Sequence, residues 1–297
     1  MKVLVSGGTG LVGRYLVEGL LTAGYQVTVG GRTAPHPTLF PLPVDFVPLS
    51  LDPDADHSCA FDDAYHFVHA AFDHVPGRYR GGEGDDPQGF RRRNLDGTVR
   101  LFESAKRAGV RRCVFVSSRA VYDGLPDGTV LHEEAAAKPA SLYGEVKLMA
   151  EQVLAELSSP GFAGVSLRAT GVYGNLFPNK WDGMFRDYLA GRPVAARAGS
   201  EVHGQDVAAA LRLVLEADTA RVSGQAFNIS DIVTDNRDIL SHFRDAIGSK
   251  QPLPKPAAKS RIARMATDKI SALGWQPGGM ALLHDTIDGL STRYLQK

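Results

Sequence analysis

The stretch Val3-Leu-Val-Ser-Gly-Gly-Thr-Gly-Leu-Val-Gly13 runs from a short apolar segment into a pattern typical of a helix. Gly7, Gly10 and Gly13 form G-x-x-G-x-x-G between the two. In such a pattern the first glycine permits a tight turn, the second lets the backbone approach a pyrophosphate, and the third allows close packing of helix on strand. The N–H groups and the positive dipole end of the helix would face the phosphates. The stretch therefore predicts a βα unit that binds a dinucleotide.

Short apolar segments alternate with helix-like patterns along the first two thirds of the chain. The segments are mostly β-branched or aromatic and lack polar alternation, as do strands buried on both faces of a parallel sheet. We predict strands at Lys2–Ser6, Gln26–Val29, Ala64–His69, Arg112–Ser117 and Gly164–Arg168. Apolar residues at helical spacing predict helices at Gly13–Ala23, Gly97–Ala108 and Ser141–Leu157. This βαβ alternation predicts an α/β fold with a doubly wound parallel sheet of the Rossmann type.

Two stretches interrupt the alternation. Asp73–Arg93 is rich in glycine and in charges of both signs, which is typical of a solvated loop, although a loop after a strand would lie at the ligand-binding edge of the sheet. The second interruption comprises Gly171–Gly204 and the tail from Ser230. We predict two units: a dinucleotide-binding domain over residues 1–170, to which residues 203–230 return, and a smaller interleaved substrate-binding lobe over residues 171–202 and 231–297.

The composition argues against several kinds of partner. Lys and Arg number 33 and Asp and Glu number 33, so a formal charge of zero gives no basis for binding nucleic acid. We expect neither a membrane segment nor a signal peptide, because no apolar run reaches ~20 residues and Met1 leads directly into the first strand. Cys59 and Cys113 lack disulfide or metal-ligand spacing, and Cys113 is expected to be a buried thiol. We therefore expect a cytoplasmic protein without a metal that acts on a small molecule.

The residues after the second predicted strand bear on the choice of cofactor. A carboxylate there would bind the ribose 2′-OH of NAD, whereas an arginine would pair with the 2′-phosphate of NADP. Val29-Gly-Gly-Arg-Thr33 contains no carboxylate, and the guanidinium of Arg32 can bind a phosphate through two parallel hydrogen bonds. The sequence therefore favours NADP, with NAD as the alternative.

Three polar residues predict a site for proton transfer. Tyr143 and Lys147 lie four residues apart in a predicted helix, and Ser118 stands 25 residues before Tyr143 at the end of a strand. Residues at this helical spacing share one face, so the Lys147 ammonium would lie beside the Tyr143 phenol and favour the phenolate. Such a phenol is suited to general acid–base catalysis. Ser118 could hydrogen-bond the reacting oxygen, and the set as a whole could move a proton beside a hydride.

These motifs, in this order, resemble those of the extended short-chain dehydrogenase/reductase superfamily, and within it the NAD(P)-dependent epimerase/dehydratase family. The glycine pattern is similar to the cofactor motif of that family. Further segments that resemble its motifs are Phe67–Ala71, Asn94–Thr98, Arg168–Gly174 and His203–Ala208. The resemblance covers nearly the whole chain.

The resemblance implies a role for each motif residue. Tyr143 would be the acid and base, Lys147 would hold the nicotinamide ribose, and Ser118 would polarise the substrate oxygen. Together with Arg32, the expected cofactor contacts are Gly7, Thr9, Gly10, Leu11, Val12, Gly13, His69, Ala70, Ala71, Asn94, Ser117, Tyr143 and Lys147. The expected substrate contacts are Ser118, Arg119, Gly171 and Tyr173. We interpret four other residues as structural: His203 and Asp206 at a helix start, and Trp181 and Phe185 in the core of the lobe.

Departures from the family pattern narrow the activity. Dehydratases of the family carry carboxylates where this chain has Arg119 and Ala120, so we exclude elimination of water. Nucleotide-sugar epimerases usually have asparagine in place of Gly171 and an arginine near Gly199, whereas here the nearest arginine is Arg197. A nucleotide-sugar substrate is therefore not implied by the family pattern alone.

The sequence predicts an NAD(P)-dependent oxidoreductase that acts on a carbonyl or hydroxyl carbon of a small substrate, which could be sugar-like. The alternatives are a nucleotide-sugar epimerase with tightly bound NAD and a catalytically silent dinucleotide-binding protein. A Rossmann protein of another chemistry would leave Ser118, Tyr143 and Lys147 unexplained. The resemblance also suggests a homodimer formed by the helices Gly97–Ala108 and Ser141–Leu157.

Overall fold

The computed structural model describes residues 1–75 and 82–295. The strands are β1 (Lys2–Ser6), β2 (Gln26–Gly31), β3 (Asp45–Pro48), β4 (His66–His69), β5 (Arg112–Ser118), β6 (Val130–Leu131), β7 (Ala163–Ala169), β8 (Gly171–Tyr173), β9 (Ala198–His203), β10 (Gln225–Ile229), β11 (Ile232–Asp235) and β12 (Arg264–Met265). The helices are α1 (Leu11–Thr22), α2 (Pro87–Arg91), α3 (Gly97–Arg107), α4 (Leu142–Leu157), α5 (Asp182–Leu189), α6 (Gly204–Glu216), α7 (Thr219–Val222), α8 (Asn236–Ile247), α9 (Asp268–Ser271) and α10 (Gly279–Leu295).

The central sheet has seven parallel strands in the order β3-β2-β1-β4-β5-β7-β10. All five predicted strands lie in it, which confirms the predicted Rossmann-type sheet. Strand β5 shows why such strands are apolar throughout. Cys113 and Phe115 pack on the side of α3 and α4, whereas Val114 and Val116 pack on the side of α1 and α6, because successive side chains of a strand point to opposite faces.

The two edge strands escaped prediction. Strand β3 is short and only partly buried, and β10 includes the polar Gln225 and Asn228. Neither segment has the continuous apolar run that marks a strand buried on both faces.

A second, three-stranded sheet of β8, β9 and β11 lies next to helices α5, α8 and α10. Their shared core contains Trp181 and Phe185, as predicted, and Phe185 stacks on Phe243 of α8 with ring centroids 4.1 Å apart. Only Thr170 separates β7 from β8, so this lobe begins at the carboxyl edge of the main sheet. None of the helices in the described part of the chain combines the length and apolar character of a bilayer span.

Residues 203–230 connect back to the main sheet. Helix α6 packs against α1 in the main core, and β10 pairs with β7. A two-stranded sheet of β6 and β12 also links the tail to the first half of the chain. We retain the division into a dinucleotide-binding domain and a smaller lobe as a proposal that these contacts support.

Tyr15 of α1 connects the helix after the glycine turn to the lobe. A Cβ on Gly204 would lie 2.1 Å from Cδ2 of Tyr15, and one on Gly174 would lie 2.0 Å from its hydroxyl oxygen. The hydroxyl accepts the Leu176 N–H at 3.0 Å and donates to Oδ1 of Asn175 at 3.2 Å. Two glycines thus make room for one tyrosine at the junction between the main sheet and the lobe.

We expect Gly204→Ala to destabilise the protein although it places alanine in a helix. Alanine normally stabilises a helix relative to glycine by about 0.5–1 kcal/mol. At Gly204 the new methyl group would overlap Tyr15, so the free energy of unfolding should fall by about 1–3 kcal/mol, as in overpacked cores. Urea unfolding measures this change. Gly183→Ala in α5 is the control, because nothing lies within 4 Å of its Cβ position. Equal loss in both variants, or none in either, would contradict the prediction.

Candidate active site

The glycine turn is packed between the ends of two neighbouring strands. Gly7 has a φ of 71°, and its N–H donates to the carbonyl of Gly30 at 3.1 Å. A Cβ on Gly7 would lie 2.5 Å from the backbone nitrogen of Ala71, and one on Gly13 would lie 2.1 Å from the carbonyl oxygen of Gly7. Side chains are therefore excluded at the first and third glycines by the protein's own backbone.

Gly10 is less restricted by its surroundings. It is the N-cap residue of α1 and gives no side-chain cap, and a Cβ there would meet only the Gly7 carbonyl, at 3.4 Å. Thr9 and Gly10 are exposed, whereas Leu11 and Val12 are partly buried in the first turn of the helix. A helix start with uncapped N–H groups and an open approach fits the phosphates of a dinucleotide.

Arg32 follows β2 and reaches towards the loop after β4. Its side chain is 83% exposed, and Nη1 lies 3.9 Å from Oδ1 of Asp73. Nε of Arg93 donates to the other oxygen of Asp73 at 2.6 Å. The Asp73 carboxylate therefore lies between two arginines at the edge where the cofactor is expected. No separate role was predicted for Asp73. Residues 76–81 of the predicted Asp73–Arg93 loop lie outside the described residues.

The ring of His69 is completely buried at the end of β4. Nδ1 is 2.6 Å from Oγ of Ser6, and Nε2 is 2.9 Å from Oγ1 of Thr98. Burial, and secondarily the charge of Lys147, lowers the pKa of His69 to about 3, so the ring is neutral near pH 7. Both ring nitrogens of His69 are hydrogen-bonded within the protein, so only the backbone of His69 could contact a cofactor. The next residue, Ala70, donates its N–H to the carbonyl of Ser6 at 3.0 Å.

Asn94 holds the loop that follows β4. Its Nδ2 donates to the carbonyls of Asp73 at 2.7 Å and Phe90 at 3.0 Å, and its Oδ1 accepts the Asp73 N–H at 2.7 Å. Asn94 is buried in a single π-helical segment, Arg92–Asp96, between α2 and α3. Both polar atoms of the Asn94 amide are therefore bonded to the protein backbone, and the cofactor contact expected of Asn94 stays a prediction.

The first turn of α4 docks on the turn after Ser118. Ser141 caps α4 by accepting the Gly144 N–H at 3.2 Å, and a Cβ on Gly144 would lie 2.5 Å from the carbonyl oxygen of Ala120. The Ser118 oxygen accepts the Ala120 N–H at 3.1 Å, which leaves the hydroxyl proton available for another acceptor. The structure thus brings the segment carrying Tyr143 against the segment carrying Ser118.

Lys147 is buried one turn after Tyr143. Its Nζ donates to the carbonyl of Val116 at 2.8 Å and lies 4.6 Å and 4.5 Å from the ring centres of Phe72 and Phe115. Burial lowers the pKa of Lys147 from its ordinary value of 10.5 to about 7, and the carboxylate of Glu151 acts in the opposite direction. The Phe72 ring also meets the Tyr143 ring edge to face at 5.0 Å. Phe72 is a neighbour of the predicted site that the sequence did not indicate.

The side chain of Ser117 is buried. Its hydroxyl donates to Oε1 of Glu151, which is itself buried in an ion pair with Arg168. Contact of Ser117 with a cofactor is therefore restricted to its backbone. The sequence reasoning missed Glu151, although its position four residues beyond Lys147 places it on the same helix face.

The predicted substrate residues have different surroundings. Arg119 is partly buried and donates from Nη1 to Oδ1 of Asp123 at 2.8 Å. Gly171 is exposed, and a Cβ there would lie 2.7 Å from the carboxylate of Glu201, which pairs with Lys180. Tyr173 is fully buried and stacks on Trp181 at 5.4 Å between ring centroids. In this arrangement the Tyr173 side chain belongs to the lobe core, and its expected contact with a substrate stays a prediction.

His203 and Asp206 act at the start of α6, as predicted. Nδ1 of His203 accepts the Gln205 N–H at 3.1 Å. Asp206 lies in the first turn of α6, and its carboxylate accepts the Gly278 N–H at 3.2 Å. Both residues therefore have structural partners outside the Ser118, Tyr143 and Lys147 set.

The sequence profile of the NAD dependent epimerase/dehydratase family matches residues 3–230. The chain belongs to this family. One relative is the 3 beta-hydroxysteroid dehydrogenase/Delta 5→4-isomerase of Mycobacterium tuberculosis. It is 30% identical over an alignment of 299 positions, and the alignment covers 93% of this chain and 75% of the relative. The UDP-glucose 4-epimerase of Streptomyces lividans is 26% identical, with 93% of this chain and 91% of the relative covered.

Solved structures of other proteins superpose closely on this chain. MoeE5 in complex with UDP-glucuronic acid and NAD has a TM-score of 0.80 at 25% identity, with 99% of each chain covered. These comparisons confirm the predicted family, the Rossmann-type fold and the prediction of a nicotinamide-dependent oxidoreductase-type enzyme. The individual site residues remain predictions.

Proposed function

We propose that this member of the epimerase/dehydratase family transfers hydride between a nicotinamide cofactor and a carbon that carries a hydroxyl or carbonyl oxygen. The observation that carries this proposal is the docking of α4, with Tyr143 and Lys147, against the end of β5, with Ser118. The end of β5 and the first turn of α4 lie on the carboxyl edge of the parallel sheet, the edge that also carries the glycine turn after β1 and that normally binds ligands. The bound nicotinamide would supply or accept the hydride.

The side chains of the site would divide the remaining work. The Tyr143 hydroxyl gives a proton to the substrate oxygen in reduction and takes it back in oxidation. The Ser118 hydroxyl donates a hydrogen bond to the same oxygen and orients it. The Lys147 ammonium favours the phenolate form of Tyr143 by its charge. The glycine turn and the start of α1 would hold the pyrophosphate.

The finer choice of cofactor rests on Arg32. We propose NADP, because positions 29–33 contain no carboxylate and the Arg32 side chain is largely exposed. Asp73 partly neutralises Arg32, and the structures of relatives include complexes with NAD, so NAD is the alternative. Tightly held NAD would accompany the second candidate function, epimerisation of a nucleotide sugar, which the UDP-glucose 4-epimerase relatives favour.

A titration of the purified protein with NADPH and NADH, followed by nicotinamide fluorescence, separates the two functions. We expect tighter binding of NADPH and a loss of about tenfold or more in NADPH affinity in Arg32→Ala, which corresponds to about 1.4 kcal/mol for the lost phosphate contact. NADH affinity should change little. Arg192→Ala is the matched control, since Arg192 is an exposed arginine paired with Asp187 in the lobe.

The opposite results would redirect the search for the substrate. Equal or tighter binding of NADH, or NAD that co-purifies with the protein, would contradict the NADP proposal and lead to sugar nucleotides as test substrates. Preference for NADPH would lead to a panel of ketones and aldehydes. The homodimer and the cytoplasmic location expected from the sequence remain predictions.

A further inference from the structure

Glu151 continues the helix face that carries Tyr143 and Lys147, at the same four-residue interval. Its side chain is 5% exposed and accepts a hydrogen bond from the Ser117 hydroxyl. Arg168 binds it side-on, with Nε at 3.0 Å and Nη2 at 2.7 Å from Oε2. Nη1 of Arg168 also donates to the hydroxyl of Tyr122, which is buried. The Glu151 carboxylate is therefore held from two strands, β5 and β7.

Lys147 and Glu151 attach α4 to consecutive residues of β5. Lys147 donates to the carbonyl of Val116, and Glu151 accepts from the side chain of Ser117. The next residue of the strand is Ser118. Arg168, in turn, is the register partner of Ser117 on β7. Two attachments one helical turn apart fix the position of α4 along β5 and its rotation about its own axis. They thereby fix how the first turn of α4 lies against Ser118.

Within residues 1–75 and 82–295, the titratable groups that act on Lys147 form a small set. On α4 these are Tyr143 and Glu151, on β4 His69, and on β7 Arg168, which faces Glu151. His69 is neutral near pH 7 because burial lowers its pKa to about 3. Burial lowers the pKa of Lys147 to about 7, and Glu151 is the carboxylate that raises it. Without Glu151, more of Lys147 would be uncharged at neutral pH.

We infer that Glu151 is a positioning residue, which keeps Lys147 charged and sets α4 against β5 so that Tyr143 meets Ser118. Arg168 holds the Glu151 carboxylate by a bidentate ion pair, with Nε 3.2 Å from Oε1 and Nη2 2.7 Å from Oε2. The inference rests on the proposed function of Tyr143 and Lys147, because it assigns a residue that acts through them. Glu151 itself has no contact with the expected cofactor turn.

An open cavity gives access to Glu151 from the other side. Glu151 and Arg168 line a space of about 270 Å³ between α4, β7 and β10, bordered by small side chains and by the exposed amides of Gln152 and Gln225. Removal of the Glu151 side chain would enlarge this space along α4 towards Lys147. A small carboxylate from solvent could then occupy the place of the missing side chain.

The charge state of Lys147 can be measured without substrate or cofactor. The 13Cε resonance of Lys147, assigned by its loss in Lys147→Met, is titrated with pH in the full chain. We expect a wild-type midpoint near 7. In Glu151→Gln the midpoint should fall by about 1–3 pH units, because the carboxylate that raises the pKa of Lys147 is removed. Glu151→Asp retains the negative charge, so its midpoint should stay close to that of the wild type. Gln152→Ala, on the same cavity, should leave the midpoint unchanged.

Rescue by a free carboxylate tests whether a negative charge at the position of Glu151 sets the Lys147 midpoint. In Glu151→Ala the midpoint should fall, and added formate or acetate should raise it again, whereas the neutral isostere acetamide should not. An unchanged midpoint in Glu151→Gln, or equal recovery with acetamide, would overturn the inference. If Glu151→Gln fails to fold, the double variant Glu151→Met/Arg168→Met removes both charges together, which a protein core often tolerates. Its midpoint should also fall, but by less than in Glu151→Gln, because the Arg168 cation is lost as well.

These results separate the inference from the proposed function. An unchanged Lys147 midpoint in a protein that binds NADPH or NADH and turns over would refute the role of Glu151 alone. A shifted midpoint in a protein that binds neither dinucleotide would refute the proposed function and leave the link between Glu151 and Lys147 standing.

Discussion

Tyr143→Phe should abolish turnover and leave cofactor affinity nearly unchanged. Removal of the hydroxyl takes away the group that exchanges a proton with the substrate oxygen, and general acid–base catalysis contributes about 10²–10⁴-fold to such reactions. The phenyl ring would keep the edge-to-face contact with Phe72, whose ring centroid lies 5.0 Å away. The geometry of α4 should therefore survive the substitution, and the loss should appear in kcat.

The measurement compares initial rates of the variant and the wild type on any substrate that the wild type converts, together with fluorescence titrations of NADPH and NADH. Tyr65→Phe is the matched control. Tyr65 is 47% exposed and directly precedes β4, so it lies at the amino ends of the strands, away from the carboxyl ends where the site is expected. Turnover by Tyr143→Phe close to the wild-type rate would refute the assignment of Tyr143. A large loss of cofactor affinity would instead indicate a structural role.

Gly10→Ala and Gly13→Ala should both impair cofactor binding, but for different reasons. A methyl group on Gly10 meets only the Gly7 carbonyl, at 3.4 Å, so the fold should tolerate it while the space for a pyrophosphate is filled. We expect NADPH and NADH affinity to fall by about 10–100-fold, or about 1.4–2.8 kcal/mol. A methyl group on Gly13 would lie 2.1 Å from the Gly7 oxygen and must displace the turn itself.

Thermal unfolding and cofactor titration of the two variants distinguish these mechanisms. Gly10→Ala should keep the wild-type Tm in the absence of cofactor, whereas Gly13→Ala should lower both Tm and affinity. Gly183→Ala, in open space on α5, serves again as the control for a glycine replaced in a helix. Wild-type affinity in Gly10→Ala would show that the dinucleotide does not approach this turn.

The sequence predicted the parts of the fold that depend on local patterns. Central strands such as β5 need apolar residues on both faces, and that requirement is visible as an uninterrupted run. The glycine turn was predictable because Gly7 and Gly13 admit no side chain against neighbouring backbone. Edge strands carry no such requirement, since one side of the strand lacks a neighbour, and β3 and β10 were missed for that reason.

Site residues could be predicted where their arrangement follows from the helix or strand that carries them. Tyr143 and Lys147 lie on one helix, and their common face follows from helical geometry. Partners from distant parts of the chain were not predictable. Asp73 reaches Arg32 from another strand end, and Arg168 reaches Glu151 across the sheet. Burial was equally hidden, because nothing in the sequence separates a Tyr173 in a lobe core from one that lines a pocket.

The position of Tyr15 has a consequence for protein engineering. Enzymes with this architecture invite chimeras, in which the substrate lobe of one relative is grafted onto the dinucleotide domain of another. Here the helix that starts at the glycine turn inserts Tyr15 between Gly174 and Gly204, with its hydroxyl bonded to Asn175 and Leu176. A transplanted lobe with larger side chains at those two glycines would collide with this tyrosine. The graft must therefore exchange the tyrosine and both glycines as one unit.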